Sequence, residues 1–254
     1  MFELTDRVAL MTGSSRGMGA AMAEGLAEQG ANVVISSRKI EACETTAQAI
    51  NEKVGRDAAV PIACHAGRKE QLQDLVDQTH SKLGKIDILV GNAGVNPFYG
   101  TMEDIPDEAY EKTMKANVQS NLWLCRMVKP DMEEKKRGSI LITASVGAFA
   151  PSTTLGTYGM SKMAVISLVR NLAAEWGPLG IRVNALCPAL VKTDFAKALW
   201  SNPEAAQRVI DQTPLRRLGE AEDFKGIAAF IGSDEASWIT GQALTICGGT
   251  HMFK

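Results

Sequence analysis

Paired cysteines, a basic excess and long apolar runs are all missing from this sequence. Its five cysteines show no C-x-x-C spacing and its three histidines are dispersed, which disfavours a disulfide framework and a zinc site alike. We therefore expect no bound metal. The net charge of −2 argues against binding to nucleic acid, because proteins of that class usually present a strong basic excess to phosphates.

Neither a membrane span nor a linker can be found along the 254 residues. No segment approaches the roughly 18 apolar residues of a membrane-spanning helix, and no charged leader with an apolar stretch precedes the first strand pattern. We expect a protein of the cytoplasm without membrane contact. No proline-rich, glycine-rich or low-complexity stretch divides the chain, so residues 1–254 are expected to form a single domain.

Short runs rich in valine and isoleucine alternate with longer stretches of helical periodicity. This alternation predicts an α/β fold, a doubly wound (Rossmann) parallel sheet of about seven strands with helices on both faces. The predicted strands are 8–11, 33–36, 60–63, 88–91, 140–144, 182–186 and 244–246, and the predicted helices are 19–29, 71–82, 107–128 and 161–176. Segment 190–218 is the one long excursion, and we expect it to act as a substrate lid.

A glycine-rich turn follows the first strand run. The letters TGSSRGMG place Gly13, Gly17 and Gly19 before a helix of small residues, with Ser15 and Met18 between them. Glycine allows backbone conformations that other residues avoid, and the N-terminus of a helix attracts phosphate. The turn therefore predicts a dinucleotide pyrophosphate site, although its G-x-x-x-G-x-G spacing differs from the common G-x-G-x-x-G.

The end of the second strand run lacks the acidic residue that an NAD site usually offers to the ribose hydroxyls. Ser37 and Arg38 stand there instead, and a guanidinium can hold a 2′-phosphate through two parallel hydrogen bonds. Arg16, in the glycine turn, could reach the same phosphate from the other side. We predict a preference for NADP(H), with NAD(H) as the alternative cofactor. The competing interpretation is that both arginines are merely solvent-exposed.

A tyrosine and a lysine lie four residues apart in TYGMSK, so Tyr158 and Lys162 share one helical face. Reduction of a carbonyl group needs a proton donor at its oxygen, and the reverse reaction needs a base. The ordinary tyrosine pKa of about 10 is too high for a base near neutrality. A neighbouring cation lowers that pKa, and Lys162 would supply one. Such a pair can also arise by chance.

Five motifs in one order make the sequence resemble the short-chain dehydrogenase/reductases. They are TGSSRGMG, GNAG at 91–94, Asn117 in KANV, Ser145 in TASVG and YGMSK at 158–162. The resemblance covers essentially the whole chain. AGVNPFYG, LVKTDFAKALW and RRLGE look similar to the NADP-dependent carbonyl and retinol reductases of this family. The resemblance implies interconversion of a ketone or aldehyde and its alcohol by hydride transfer.

The resemblance also implies a role for each catalytic residue. Tyr158 would act as general acid and base, and Ser145 would hydrogen-bond the substrate oxygen. Lys162 would favour the phenolate, and Asn117 would support a water-linked proton path to that lysine. The alternatives are a strand-end cap for Ser145 and a local helix distortion for Asn117.

The family pattern implies further cofactor contacts, with three departures in this chain. Gly91 replaces the first Asn of NNAG, Ala189 replaces a Gly beside the nicotinamide, and His65 stands where Asp often faces the adenine. The contacts expected on this basis are His65, Ala66, Asn92, Ala93, Gly94, Pro188, Val191 and Thr193, in addition to Tyr158 and Lys162.

Aromatic and apolar side chains surround the predicted substrate position. The expected pocket residues, besides Ser145, are Phe98, Phe149, Leu155, Phe195 and Trp200. Such a lining favours an apolar carbonyl substrate, although these side chains could equally be core or subunit contacts. One alternative function is a 3-oxoacyl-carrier-protein reductase. Another, of a different class, is an NADP-binding sensor or scaffold without turnover. The resemblance also implies a homo-oligomer, either a dimer or a tetramer.

Overall fold

Seven strands form one parallel sheet in the order β3-β2-β1-β4-β5-β6-β7 in the computed structural model, which describes residues 2–252. The strands are β1 Val8–Thr12, β2 Asn32–Ser37, β3 Ala59–Ala63, β4 Ile88–Gly91, β5 Gly138–Thr143, β6 Ile181–Pro188 and β7 Ala243–Ile246. The order changes direction between β1 and β4, which are hydrogen-bonded neighbours. A crevice at the carboxyl ends of strands at such a switch point is the usual ligand site of this fold.

Helices cover both faces of this sheet. They are α1 Gly17–Glu28, α2 Ile40–Val54, α3 Lys69–Leu83, α4 Asp107–Met114, α5 Ser120–Glu134, α6 Gly156–Trp176, α7 Lys197–Trp200, α8 Pro203–Gln212 and α9 Lys225–Gly232. The predicted doubly wound fold is confirmed. The predicted helix 107–128 is longer in the structure and is interrupted by a π turn at Lys115–Gln119.

Two apolar clusters form the core, one on each face. Along β1 the side chains alternate, so that Leu10 packs with residues of α3, α5 and α6 while Met11 packs with residues of α1, α2 and α9. Burial on both faces explains why the inner strands are almost continuously apolar. In residues 2–252 no helix has the length and apolar character required to cross a bilayer. No group of three potential metal-ligating side chains occurs in this part of the chain.

Segment 190–218 leaves the sheet and returns to the same place. A bridge between Val191 and Gly219 joins its two ends, with the Gly219 N–H donating to the Leu190 carbonyl over 3.0 Å. Asn202 caps α8, its side-chain oxygen accepting hydrogen bonds from two backbone N–H groups, as expected of asparagine at a helix start. The segment is therefore anchored at its base, while its helices project from the carboxyl edge of the sheet.

Candidate active site

The glycine turn packs tightly against the loop that follows β4. Gly13 and Gly17 have φ of +64° and +56°, a region that disfavours residues with a Cβ. A Cβ on Gly19 would lie 2.2 Å from the Gly13 carbonyl oxygen, and one on Gly13 would lie 2.9 Å from Ala93 Cα. Asn92 Nδ2 donates to the Gly13 carbonyl over 2.8 Å. This packing places the start of α1 beside the loop after β4, where the pyrophosphate of the predicted cofactor is expected to lie.

Polar groups at the strand ends hold the turn in place. Ser14 Oγ accepts a hydrogen bond from the Ser36 N–H over 2.8 Å and donates to the Met11 carbonyl. Thr12 Oγ1 accepts from the Ala93 N–H over 3.2 Å. Sequence reasoning missed Ser14 and Thr12, and the available signal was their place directly after a buried strand at the switch point.

The two arginines predicted for the 2′-phosphate differ in their surroundings. Arg38, after β2, is exposed. Arg16 is also exposed and forms an ion pair with Asp194 over 3.0 Å. Asp194 lies in segment 190–218, so this pair links the glycine turn to that segment. Nothing in the sequence pattern pointed to Asp194.

The residues predicted near the adenine and nicotinamide lie at the carboxyl edge of the sheet. His65 Nδ1 accepts the Gly67 N–H over 3.1 Å and Ala66 packs on the core. Ser37 lies at the end of β2, and Met18, in the first turn of α1, packs against the other cluster. Pro188 ends β6 and Val191 is buried. Thr193 faces Gly17, where a Cβ would lie 3.1 Å from its Cγ2. The stretch 188–193 therefore closes onto the glycine turn.

Tyr158, Lys162 and Ser145 converge at the carboxyl end of β5. Lys162 Nζ lies 5.5 Å from the centre of the Tyr158 ring and donates to the Thr143 carbonyl over 2.8 Å. Ser145 follows β5 and lies close enough to Tyr158 to lower its pKa. The Oγ of Ser145 accepts the Gly147 N–H over 3.1 Å, so the strand-end cap considered as the alternative is present. The contact of Ser145 with substrate stays a prediction.

Burial controls the ionisation of this group of side chains. Burial raises the pKa of Tyr158 to about 12, and the hydrogen bond with Ser145 opposes it only in part. Burial also lowers the pKa of Lys162 to about 8, against a smaller opposite effect of Cys187. The expectation that Lys162 depresses the Tyr158 pKa is therefore not met by the protein's own groups, because burial dominates both residues. Near neutral pH the phenol is protonated and the ammonium is close to its titration point.

Asn117 lies in the π turn and holds the loop after β4. Its Oδ1 accepts the Val95 N–H over 2.8 Å and its Nδ2 donates to the Val95 carbonyl over 3.0 Å. The same Nδ2 also donates to Ser161 Oγ over 3.0 Å. A Cβ on Gly94 would lie 3.3 Å from Lys162 Nζ and 3.4 Å from Asn117 Oδ1. Asn117 therefore connects α6 to the loop after β4. It lies in the helix distortion that was the alternative interpretation, and its support of a proton path to Lys162 stays a prediction.

Tyr158 and Phe195 approach each other at the mouth of the site. Their ring centroids are 6.2 Å apart, and Phe195 is 57% exposed. Phe149 stacks on His251, with ring centroids 4.6 Å apart. Trp200 instead makes a hydrogen bond within segment 190–218, because its Nε1 donates to the Thr193 carbonyl over 2.9 Å.

Phe98 and Leu155 lie in two connecting loops that meet. The Phe98 ring lies against Gly100, where a Cβ would come within 2.6 Å of it. The Gly100 N–H donates to the carbonyl of Thr154, the residue before Leu155. These two predicted pocket residues therefore lie on two loops, one after β4 and one before α6, which this hydrogen bond joins.

Known proteins resemble this chain over nearly its whole length. Residues 13–251 match the family model described as Enoyl-(Acyl carrier protein) reductase. Dehydrogenase/reductase SDR family member 4 of Sus scrofa is 41% identical over 248 residues, which cover 97% of this chain and 88% of that protein. Dehydrogenase/reductase SDR family member 2, mitochondrial, of Homo sapiens is 37% identical, covering 96% of this chain and 86% of that protein.

Solved structures show the same fold with two different cofactors. A 7 alpha-hydroxysteroid dehydrogenase complexed with NADH and 7-oxo glycochenodeoxycholic acid has a TM-score of 0.92 and 36% identity, over 98% of this chain and 95% of that chain. A gluconate 5-dehydrogenase from Burkholderia cenocepacia J2315 in complex with NADP and tartrate has a TM-score of 0.92 and 30% identity, over 98% and 96% of the two chains.

Proposed function

The chain belongs to the short-chain dehydrogenase/reductase family of oxidoreductases, and we propose that it interconverts an apolar ketone or aldehyde and its alcohol with NADP(H). The observation that carries this proposal is the convergence of Tyr158, Ser145 and Lys162 at the carboxyl end of β5, together with the glycine turn that adjoins the β4 loop. A sensor without turnover has no need of a buried lysine beside a tyrosine and a serine, since burial of that amine is costly.

Tyr158 is the proton donor for reduction. NADPH, when bound, supplies the hydride that reaches the carbonyl carbon. Ser145, which lies near enough to lower the pKa of Tyr158, hydrogen-bonds the substrate oxygen together with Tyr158 and orients it. The pKa of Tyr158, about 12, keeps its hydroxyl protonated at neutral pH, so that it gives its proton to the oxygen as negative charge develops there.

Lys162 and Asn117 support that proton transfer. A protonated Lys162 stabilises the phenolate that Tyr158 becomes after donating its proton. Its Nζ is oriented by the Thr143 carbonyl, and the Asn117 side chain bonds Ser161, the residue before it. Proton return to Tyr158 by way of Lys162 and water near Asn117 completes the cycle in this account.

Residues of the glycine turn and the strand ends would hold the cofactor. Gly13, Gly17 and Gly19 allow its pyrophosphate to approach α1, and Arg38 offers an exposed guanidinium where the 2′-phosphate would lie. The absence of a carboxylate after β2 supports NADP(H) over NAD(H). Dehydrogenase structures similar to this chain carry NADH in one case and NADP in the other, so the choice depends on this chain's own residues.

An apolar carbonyl compound fits the side chains around the mouth of the site. Phe195 approaches Tyr158 from segment 190–218, and Phe149 stacks on His251 on another side. The segment would act as a lid, because its base is anchored at Val191 and Gly219. We also propose a cytoplasmic homodimer or homotetramer, in keeping with the family resemblance. A 3-oxoacyl-carrier-protein substrate is the second candidate; the description of the matching family model shares with it only the acyl carrier protein, since it names an enoyl group.

A cofactor-oxidation screen tests this function. Purified protein is mixed with NADPH, or with NADH in a parallel series, and with aliphatic and aromatic ketones, quinones, retinal-like aldehydes and β-ketoacyl thioesters. We expect turnover of apolar carbonyl compounds with NADPH that exceeds turnover with NADH. Preferred turnover of β-ketoacyl thioesters would select the second candidate. If no carbonyl compound is reduced although NADPH binds, the enzymatic proposal is wrong and a sensor role replaces it.

A further inference from the structure

Asn121, on α5, fills the space beside Gly91, the last residue of β4. A Cβ on Gly91 would lie 2.2 Å from Asn121 Oδ1 and 3.3 Å from Asn121 Cγ. Asn121 is only 5% exposed. Gly91 is the position at which the family resemblance predicted an asparagine. A buried carboxamide therefore reaches this place from the helix, and a residue larger than glycine at position 91 would collide with it.

The Asn121 amide is bonded to the backbone of the π turn. Its Nδ2 donates to the Asn117 carbonyl over 2.7 Å. The Ser120 N–H bonds the Lys115 carbonyl five residues back, which shows the shift of register that a π turn introduces. Such a shift deprives a helical carbonyl of its usual backbone donor, and buried carbonyls need a replacement. Side chains supply it here, since Ser120 Oγ donates to the Ala116 carbonyl over 2.6 Å.

Asn121 anchors Asn117, and Asn117 connects the loop after β4 to α6. The side chain of Asn117 bonds Val95 in the loop and Ser161 next to Lys162. Gly94 lies against both Lys162 Nζ and Asn117 Oδ1. A displacement of the Asn117 backbone would therefore change the surroundings of the lysine amine and of the loop together.

We propose that Asn121 is a positioning residue of the proton-transfer site. Its amide fixes the Asn117 carbonyl, and this contact directs the Asn117 side chain toward Val95 and Ser161. The kinetic consequences rest on the proposed function, whereas the anchoring of the π turn does not depend on it. Gly91 is the steric counterpart of Asn121, because it leaves room for the carboxamide.

The matched pair Asn121→Ala and Ser120→Ala tests this role in the full-length protein. Each variant loses one buried hydrogen bond to a carbonyl of the same turn, so we expect similar losses of thermal stability. Amide hydrogen exchange in the peptide 92–96 is expected to rise about tenfold in Asn121→Ala and to stay unchanged in Ser120→Ala. This readout needs no substrate.

Kinetics with the best carbonyl substrate separate positioning from a merely structural effect. Asn121→Ala is expected to lower kcat about tenfold while KM for NADPH stays within about twofold. It is also expected to move the high-pH limb of the pH–rate profile for reduction by about half a pH unit or more, because the surroundings of Lys162, and with them its pKa, change. Ser120→Ala is expected to leave kcat and that limb unchanged.

A third variant separates packing from positioning. Gly91→Ala alone is expected to lower thermal stability, because its methyl collides with Asn121. The double variant Gly91→Ala/Asn121→Ala is expected to recover stability yet keep the low kcat and the fast exchange. If Asn121→Ala does not fold, the double variant carries the same measurements, since the added methyl fills the vacated space.

The results that overturn the proposal are distinct from failure of the proposed function. Equal exchange and equal kcat in Asn121→Ala and Ser120→Ala would show that Asn121 is only a structural residue. If the wild-type protein reduces no carbonyl compound, the proposed function fails, and exchange in the peptide 92–96 still decides whether Asn121 anchors Asn117.

Discussion

The proposed cofactor side and the proposed substrate side of the sheet's carboxyl edge differ in the kinds of contact that form them. On the cofactor side, glycines and strand-end polar groups contact each other's backbone, as between Gly19 and Gly13 or Asn92 and Gly13. On the substrate side, exposed side chains lie on connecting segments, such as Phe195 at 57% and Met102 at 52% exposure. The proposed catalytic residues lie at the carboxyl end of β5 and on the helices beside it, whereas the proposed substrate contacts lie on loops that can change without disturbing that region.

Tyr158→Phe produces the largest effect if this division holds. The change removes the proton donor and leaves the ring, so we expect carbonyl reduction to fall by about 10³-fold or more, within the range of general acid catalysis. NADPH binding, measured by fluorescence titration, is expected to remain. Tyr110→Phe is the control, because it makes the same change on α4, where Tyr110 is 39% exposed. Turnover of Tyr158→Phe within tenfold of wild type would contradict the assignment.

Arg38→Ala produces a smaller effect that is confined to one cofactor. Loss of a charged hydrogen-bond donor to the 2′-phosphate is expected to weaken NADPH binding by about 1.5–3 kcal/mol, roughly tenfold or more. NADH carries no such phosphate and serves as the internal control in calorimetric titrations. Equal losses for NADPH and NADH would show that Arg38 does not recognise the phosphate and would move that role to Arg16.

Phe195→Ala produces the smallest effect and falls on the substrate side. A half-exposed phenyl ring contributes about 1 kcal/mol of apolar contact, so KM for the carbonyl substrate is expected to rise about fivefold while kcat changes little. Leu215→Ala removes a similarly exposed side chain, at 64%, from segment 190–218 and is expected to leave KM unchanged. A large fall in kcat for Phe195→Ala would show that Phe195 takes part in catalysis and would contradict the distinction between the two sides.

The sequence predicted the fold and the glycine turn well because backbone requirements leave a mark in residue type. Glycines at 13, 17 and 19 and buried strands of valine and isoleucine admit few other interpretations. Helices α2, α7, α8 and α9 were not among the predicted helices. Helix α8 has no fully buried residue, α9 is apolar on most of its surface, and α2 buries Cys43, Ala47 and Ile50, of which two are small. Helices α7, α8 and α9 are also short, with 4, 10 and 8 residues, so few turns repeat their pattern.

The contacts that join distant segments could not be predicted from local pattern. The π turn at Lys115–Gln119 interrupts a helix whose apolar periodicity continues on both sides. The ion pair of Arg16 with Asp194 and the fit of Asn121 to Gly91 connect positions far apart in sequence. The dominance of burial over the Lys162 charge in setting the Tyr158 pKa likewise depends on tertiary packing. The sequence therefore indicated candidate catalytic residues, but not how their surroundings change their pKa values.

The pH dependence of carbonyl reduction tests the central claim, a buried proton-transfer group in which protonated Tyr158 is assisted by Lys162. The measurement is kcat/KM for the best carbonyl substrate between about pH 6 and pH 10. Because burial lowers the pKa of Lys162 to about 8 and raises that of Tyr158 to about 12, reduction is predicted to be fastest below pH 8. It is predicted to fall above pH 8 as the lysine loses its proton, and Lys162→Met is predicted to remove that limb. A wild-type profile that stays level to pH 10, or an unchanged limb in Lys162→Met, would contradict the account.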